Sequence, residues 1–456
     1  MATSNWYTGK MVGSATDTIC AVASGQGPAG IAVVRISGSQ AFDICDRVLR
    51  HSRICKSYKG FSLHRAELTE GGEVVDDVLV SVFHAPRSFT GEDTVEISCH
   101  GGYIPAAKTI SALLSAGCRT AEPGEFSRRA FFNGKLDLSE AEGISDLINA
   151  RTDKAYRSAR GQSSGHLSRH IRGLRDRLLS VLARIEATID FPEDVGEIDI
   201  SACFTELSEV QVELDKLHRS SDRGILLRQG AQVVLVGKPN VGKSSLMNAL
   251  LHNDRAIVSD IPGTTRDTIE EMIDIGGVAV RLWDTAGLRS TADPVEAIGV
   301  ERSRLAIESA DLVLFVRDAS ALPIDEDYEL NDLVSQDRIL EVWNKCDLGE
   351  YGKLRVSAAN GTGIAELEHA IKVRLLGTES DQSEQSVYLA HVYQKTAVRS
   401  AITALKNAKE TLNLNLPIDL VSVDLQLGLT ALGEITGQTT PEDVISEIFS
   451  KFCIGK

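Results

Sequence analysis

The segment QVVLVGKPNVGKSSLMNALLH, residues 232–252, constrains this chain more than any other stretch. An apolar run, Val233–Val236, leads into Gly237, and Gly242-Lys243-Ser244 then opens an apolar pattern of helical spacing. A match to G-x-x-x-x-G-K-[ST] between a strand and a helix requires a loop whose backbone N–H groups converge, with a helix N-terminus aimed at the same point. Such donors, with Lys243, suit a polyphosphate, and the Ser244 hydroxyl suits a Mg²⁺ ion beside it. Asn240, Val241 and Ser245 complete the residues expected around the phosphates. The loop also needs a sheet behind it. The runs VAVRLWD, ADLVLFVRD, ILEVWN and LRVSA follow between residues 278 and 358, separated by helical stretches. This alternation predicts a doubly wound, mostly parallel sheet.

A phosphate loop leaves the base open, and Asn344-Lys345-Cys346-Asp347 narrows it. A carboxylate can accept from both the N1–H and the exocyclic amine of guanine, whereas adenine offers no such donor pair on that edge. Asp347 is thus the expected guanine reader, braced by Asn344 and Lys345, with Ser357 and Ala358 offering backbone N–H to the guanine carbonyl. Asp284-Thr285-Ala286-Gly287 places Asp284 near Mg²⁺ and the Gly287 N–H at the γ-phosphate. Thr265, after Gly263-Thr264, supplies a second hydroxyl for Mg²⁺. Five such signatures in this order imply a GTP-hydrolysing domain. Leu288 follows them where many GTPases carry a water-positioning glutamine, and an apolar side chain cannot orient water. Glu296 is the nearest candidate for that task, although read alone it fits a solvated glutamate at a helix start better.

A chain of 456 residues exceeds one hydrophobic core. Ile31–Ile36, Val78–Phe83 and Val95–Cys99 read as strands and 105–116 as a helix, predicting a small α+β domain over 1–120. Residues 121–222 read as helical: Leu174, Leu178, Val181, Leu182, Ile185 and Ile189 recur at three- and four-residue spacing, and a further helix spans 204–218. After the polar segment 378–386, helices are expected over 393–412, 418–433 and 441–452. The G domain, 223–378, is therefore expected to be inserted between two parts of a helical domain, 121–222 and 379–456. The net charge of −16 argues against binding nucleic acid by bulk charge. Residues 151–177 depart from that balance, with eight cations against Asp153 and Asp176. Such a stripe suits tRNA phosphates, or is a solvated face, or pairs with acidic groups elsewhere. Eight scattered cysteines without C-x-x-C, no secretory-type N-terminus and no apolar run of about 18 residues suggest a reducing cytoplasm and no membrane span.

Outside the G domain, Asp17-Thr18-Ile19, GIAVVRISG (30–38), FTGEDTVEISCHGG (89–102), PGEFSRRAFFNGKLDL (123–138), ATIDFPED (187–194), GTTRD (263–267) and the terminal Cys453-Ile454-Gly455-Lys456 resemble the tRNA-modification GTPase family MnmE, also called TrmE. The resemblance runs from residue 17 to the end. It implies a folate-binding, dimerising N-terminal domain, a discontinuous helical domain and an inserted G domain. It further implies a GTP-binding homodimer that works with the flavin protein MnmG (GidA), as a heterotetramer, on carbon 5 of the wobble uridine (position 34) of certain tRNAs. The one-carbon unit would come from a tetrahydrofolate, in 5-formyl or methylene form. Hydrolysis would be stimulated by K⁺ as the G domains dimerise.

Carried onto this sequence, Asn240, Ser259, Ile261 and Thr264 would surround K⁺, Glu296 would orient water, and Arg266 would stabilise the GTTRD loop. Folate contacts would fall on Arg35, Glu96, Lys135 and Lys456. Cys453 reads as a participant in the modification chemistry or as a small residue packing the tail. Pro28 and Ala29 depart from a loop that is richer in glycine in the family. The rival reading, a ribosome-assembly GTPase acting as an RNA-binding switch, calls for an appended RNA-binding module and a positive charge balance, neither of which the sequence contains.

Overall fold

The computed structural model describes residues 17–25, 27–50, 57–195, 199–252, 272–284, 304–321, 334–377, 388–414 and 416–455. The chain divides into two compact units, one of Met1–Ala141 with Thr436–Lys456, the other of Glu142–Ile435. No described helix is long and apolar enough to cross a membrane.

In the first unit the strands are β1 (Ile19–Val22), β2 (Ile31–Ser37), β3 (Leu49–Arg50), β4 (Ser62–Glu70), β5 (Glu73–Phe83), β6 (Thr94–His100) and β7 (Arg119–Thr120). They form one sheet in the order β3-β4-β5-β6-β2-β1-β7, antiparallel except where β7 joins β1. Alternation along β2 sends Ala32, Val34 and Ile36 to the buried face, where α1 (Ala41–Val48) and α2 (Tyr103–Ser115) cover them. Arg35 points to the other face, where Ile19, Ala21, Ala121 and Phe126 form a small second cluster with α3 (Glu125–Phe132). The C-terminal segment completes this unit. Gly124 is left-handed at φ 66°, and a Cβ there would lie 2.3 Å from the Phe449 carbonyl oxygen. A Cβ on Gly455 would meet the Val22 carbonyl oxygen at 2.1 Å, so the tail lies along the end of β1.

In the second unit, α4 (Leu138–Asn149, begun in the first unit), α5 (Asp153–Ser163), α6 (His166–Asp190), the short α7 (Pro192–Val195) and α8 (Ile200–Gln229) precede the G domain. The G domain contains β8 (Ala231–Val236), α9 (Lys243–His252), β9 (Met272–Ile275), β10 (Val278–Asp284), β11 (Leu312–Asp318), β12 (Ile339–Asn344) and α10 (Ile364–Leu376). Then come α11 (Val392–Asn413), α12 (Ile418–Thr436) and, in the first unit, α13 (Glu442–Ser450). The G-domain sheet runs β12-β11-β8-β10-β9, parallel except for the β9 edge. Apolar residues of α6, α8, α11 and α12 make one core, from Leu167 to Ile435, on both sides of the G domain in sequence.

Two expectations change. Helix α8 runs 30 residues, well past 218. Within it Gly224 serves close approach, since a Cβ there would sit 2.3 Å from the Leu389 carbonyl oxygen. LRVSA makes only an isolated bridge from Arg355 to Trp343 rather than a strand.

Arg119 and Arg129 share three carboxylates in the first unit. Arg119 meets Asp17 and Glu125 at 2.7 Å each, and Arg129 meets Asp17 at 2.7 Å, Glu125 at 3.0 Å and Glu92 at 3.2 Å. Burial pushes the Glu125 carboxyl up, but the Arg119 bond, the Glu122 N–H and Arg129 outweigh it and hold the group at about 2, against an ordinary 4.5. A depressed carboxylate stabilises the fold above the unfolded value, and that contribution is lost as pH falls from about 4.5 toward about 2. Glu125→Gln should therefore destabilise this unit at pH 7 by roughly 3 kcal/mol. Urea melts should show the gap to the wild type closing over that acid window. A gap independent of pH would show that Glu125 acts by packing alone.

Candidate nucleotide site and polar face of the first unit

Three loops meet at the C-terminal edge of the G-domain sheet. The first, between β8 and α9, uses two glycines for different reasons. A Cβ on Gly237 would lie 2.2 Å from the Val316 carbonyl oxygen, and one on Gly242, at φ 92°, would lie 2.3 Å from Asn344 Nδ2. Asn240 takes the left-handed region at φ 65° and is exposed at the crest. Lys243 is buried, and its ammonium donates to the Gly237 and Lys238 carbonyls at 2.8 and 2.9 Å, which holds it at the loop's mouth. Ser244 begins α9 and donates to Asp284 Oδ2, at the end of β10, at 2.5 Å. A hydroxyl and a carboxylate so placed are the hard oxygen donors that Mg²⁺ prefers.

Asn344 is buried, and its side chain joins the three loops. Nδ2 donates to the Val241 carbonyl at 2.9 Å and lies 3.4 Å from that of Gly242, while Oδ1 accepts from Ala358 N–H at 3.0 Å. Lys345 is left-handed at φ 64° and pairs with Asp318 at 2.6 Å. Burial raises the Asp318 carboxyl, but hydrogen bonds from Lys345 and from Ser320 outweigh it and hold it below the usual carboxylate range. Asp347 Oδ1 accepts from the Ser357 hydroxyl at 2.6 Å, which orients the carboxylate and leaves lone pairs on both oxygens to accept from a base. Val241, Gly242, Lys243, Ser244, Ser245, Asp284, Asn344, Lys345, Asp347, Ser357 and Ala358 thus lie on neighbouring loops of one sheet edge. Asp318 was missed, although it ends a parallel strand at the edge where ligands of such sheets bind. Ser259, Ile261, Thr264, Thr265, Arg266, Thr285, Ala286, Gly287, Leu288 and Glu296 lie outside the described residues.

On the first unit, Arg35 and Glu96 are cross-strand neighbours of β2 and β6. Their side chains pair at 2.8 Å, with the guanidinium 5.1 Å from the Phe89 ring centre and 5.7 Å from that of Phe126. Lys135 donates to the Pro86 carbonyl at 3.0 Å and packs on Gly91, in the loop that carries Phe89. A cation, a carboxylate and the half-buried Phe89 ring, backed by the buried Phe126, fit a flat heterocycle with a donor edge. Cys453 is exposed, and its carbonyl accepts from Gly124 N–H at 3.3 Å, so the side chain does not pack the tail. Lys456 lies outside the described residues.

Family models match both parts. The "GTP-binding protein TrmE N-terminus" covers residues 18–135, and the "MnmE helical domain" covers 138–453. The "tRNA modification GTPase MnmE" of Acetivibrio thermocellus is 40% identical over 96% of this chain and 99% of its own length. The chain belongs to this MnmE family of tRNA modification GTPases. The MnmE protein of Desulforamulus reducens is 43% identical over the same shares. The G domain of the T. maritima FeoB iron transporter matches at 26% identity over 32% of this chain and 98% of its own, with a TM-score of 0.24. Membership of this family makes the chain a GTP hydrolase.

Asp347→Asn should lower GTP affinity by about 100-fold or more, because an amide cannot accept from both guanine donors. It should also raise preference for xanthosine triphosphate, whose carbonyl the amide can meet. Competition binding that shows unaltered guanine selectivity would remove Asp347 from base recognition.

Proposed function

We propose that this chain hydrolyses GTP to drive modification of carbon 5 of the wobble uridine in certain tRNAs, together with the flavin protein MnmG. The reading rests on one observation: Asn344 ties the phosphate loop to both guanine-side loops, in a chain whose first unit presents the Arg35–Glu96 pair among aromatic rings. In the G domain, backbone N–H groups of Val241–Ser244 and the Lys243 ammonium hold the phosphates. Asp347 reads the base, and Ser244 and Thr265 place hydroxyls toward Mg²⁺, with Asp284 behind Ser244. Mg²⁺, when bound, neutralises charge that develops on the phosphates. Glu296 orients the attacking water, the task that Leu288 cannot perform, and Arg266 steadies the loop before it.

Asn240 offers an amide oxygen at the exposed loop crest, a hard neutral ligand suited to K⁺, with Ser259, Ile261 and Thr264 as further ligands. An ion held there would add positive charge beside the phosphates where two G domains of a homodimer meet. In the first unit Glu96 grips the N–H edge of a tetrahydrofolate, while Arg35, Lys135 and Lys456 meet its acidic tail. Cys453, exposed beside Gly124, is available to the modification chemistry.

Single-turnover hydrolysis at saturating GTP should be at least about 100-fold faster in K⁺ than in Na⁺, since losing an arginine finger costs 10³–10⁵ in other GTPases. Glu296→Ala should slow turnover and spare GTP affinity. Equal rates in the two salts would discard the potassium reading and leave the hydrolase intact. Arg35→Ala should weaken tetrahydrofolate binding by about tenfold or more in calorimetry, with GTP affinity unchanged. Unchanged folate affinity would remove Arg35 from that site.

A further inference from the structure

The cations of residues 151–177 do not act as one stripe, because the fold separates them. Arg177 is taken up by Glu206, Glu209 and Glu213 of α8, at 2.5, 2.6 and 3.1 Å. Arg151 lies against Met272, and the stem of Lys154 packs on Gly277, so these two face the β9–β10 hairpin. Arg175 is partly buried. Besides Arg151, four arginines are exposed: Arg157 and Arg160 on α5, and Arg169 and Arg172 on α6.

Each pair is spaced by three residues, which puts its members on one helix face. The two helices join at the Gly165 turn, where Arg169 Nη1 donates to the Ser164 carbonyl at 3.0 Å. Neither Arg157 nor Arg160 has a carboxylate partner among the described residues. Tyr156, 44% exposed, and His166, also exposed, lie on the same stretch. From Tyr156 to Arg172 the sequence contains no acidic residue.

This patch belongs to a chain of net charge −16. Repulsion from an acidic surface makes a polyanion settle where the sign reverses, so the patch selects its partner's docking place. These four cations are all arginine, whose planar fork matches phosphate oxygens better than a lysine ammonium does. An exposed tyrosine beside them offers a stacking face for an unpaired base.

We propose that the exposed face of α5 and the first turns of α6 bind RNA backbone phosphates and form the docking surface for tRNA. This rests on the reading above that tRNA is the substrate. Arg157, Arg160, Arg169 and Arg172 carry the contacts, and none belongs to the nucleotide site.

The test uses the full-length chain and a fluorescently labelled tRNA transcript, with anisotropy titrations over a series of KCl concentrations. Arg157→Ala/Arg160→Ala should make the slope of log K against log salt shallower by about two, near one for each phosphate no longer neutralised. Arg157→Glu/Arg160→Glu should weaken binding by about tenfold or more near 100 mM salt. Basal GTP hydrolysis and the melting temperature should be unchanged in both. Wild-type binding with variants that match it in slope and affinity overturns the surface while leaving tRNA as the substrate. A wild-type chain that binds no tRNA even at low salt overturns both readings. Variants that keep tRNA binding but lose binding to poly-glutamate assign the face to an acidic protein partner, and this too overturns the proposal.

Discussion

The nucleotide site depends on the side chain of Asn344. It spends its amide hydrogens on the phosphate loop and its carbonyl on the Ala358 N–H, so one buried group fixes the separation between the part that holds phosphates and the part that reads the base. An unmet amide at this depth costs about 1–3 kcal/mol, which keeps both loops in register. Gly242 is required by the same arrangement, because any side chain there would occupy the space of Asn344 Nδ2. The glycine signature of the loop thus answers to the opposite strand as well as to a phosphate.

Much of this was legible because the chemistry is local. The phosphate loop, the Asn344–Asp347 run and the strand ends each carry their meaning within a few residues, and parallel topology does the rest. Contacts between distant segments were less readable. The expected end of α8 near 218 fell short of Gln229, and Gly224 within it packs on Leu389, which lies across the whole G domain in sequence. The Arg119–Arg129 network draws on Asp17, Glu92 and Glu125, which no periodicity links. Arg35 and Glu96 came from resemblance, and only strand register makes them neighbours. The charges of the basic stripe are real, but α8 takes up Arg177 and the β9–β10 hairpin receives Arg151 and Lys154.

That hairpin also meets the helical segments at one hydroxyl. Thr152 caps α5 by accepting from Ala155 N–H at 3.2 Å, and donates to the Gly277 carbonyl at 2.8 Å. Gly276 and Gly277, at φ 63° and 91°, make a tight turn, and side chains there would collide with Lys372 and Lys154. The hairpin's second strand ends at Asp284, which accepts from Ser244. A single hairpin therefore links the start of α9, after the phosphate loop, to the cap of α5.

The insertion also governs the order in which this protein acquires its structure. As the chain leaves the ribosome, α6 and α8 emerge with their apolar faces long before α11 and α12, which complete the same core. The intervening G domain has a core largely of its own, so it can fold while the helices still wait for their partners. The sheet of the first unit likewise waits for α13 and the tail, although its strands are made first. Closing such long loops costs conformational entropy that is returned only at the end. The last seventy or so residues thus act as a late fastening for both units, and helical surface left open until then is where premature association of nascent chains would begin.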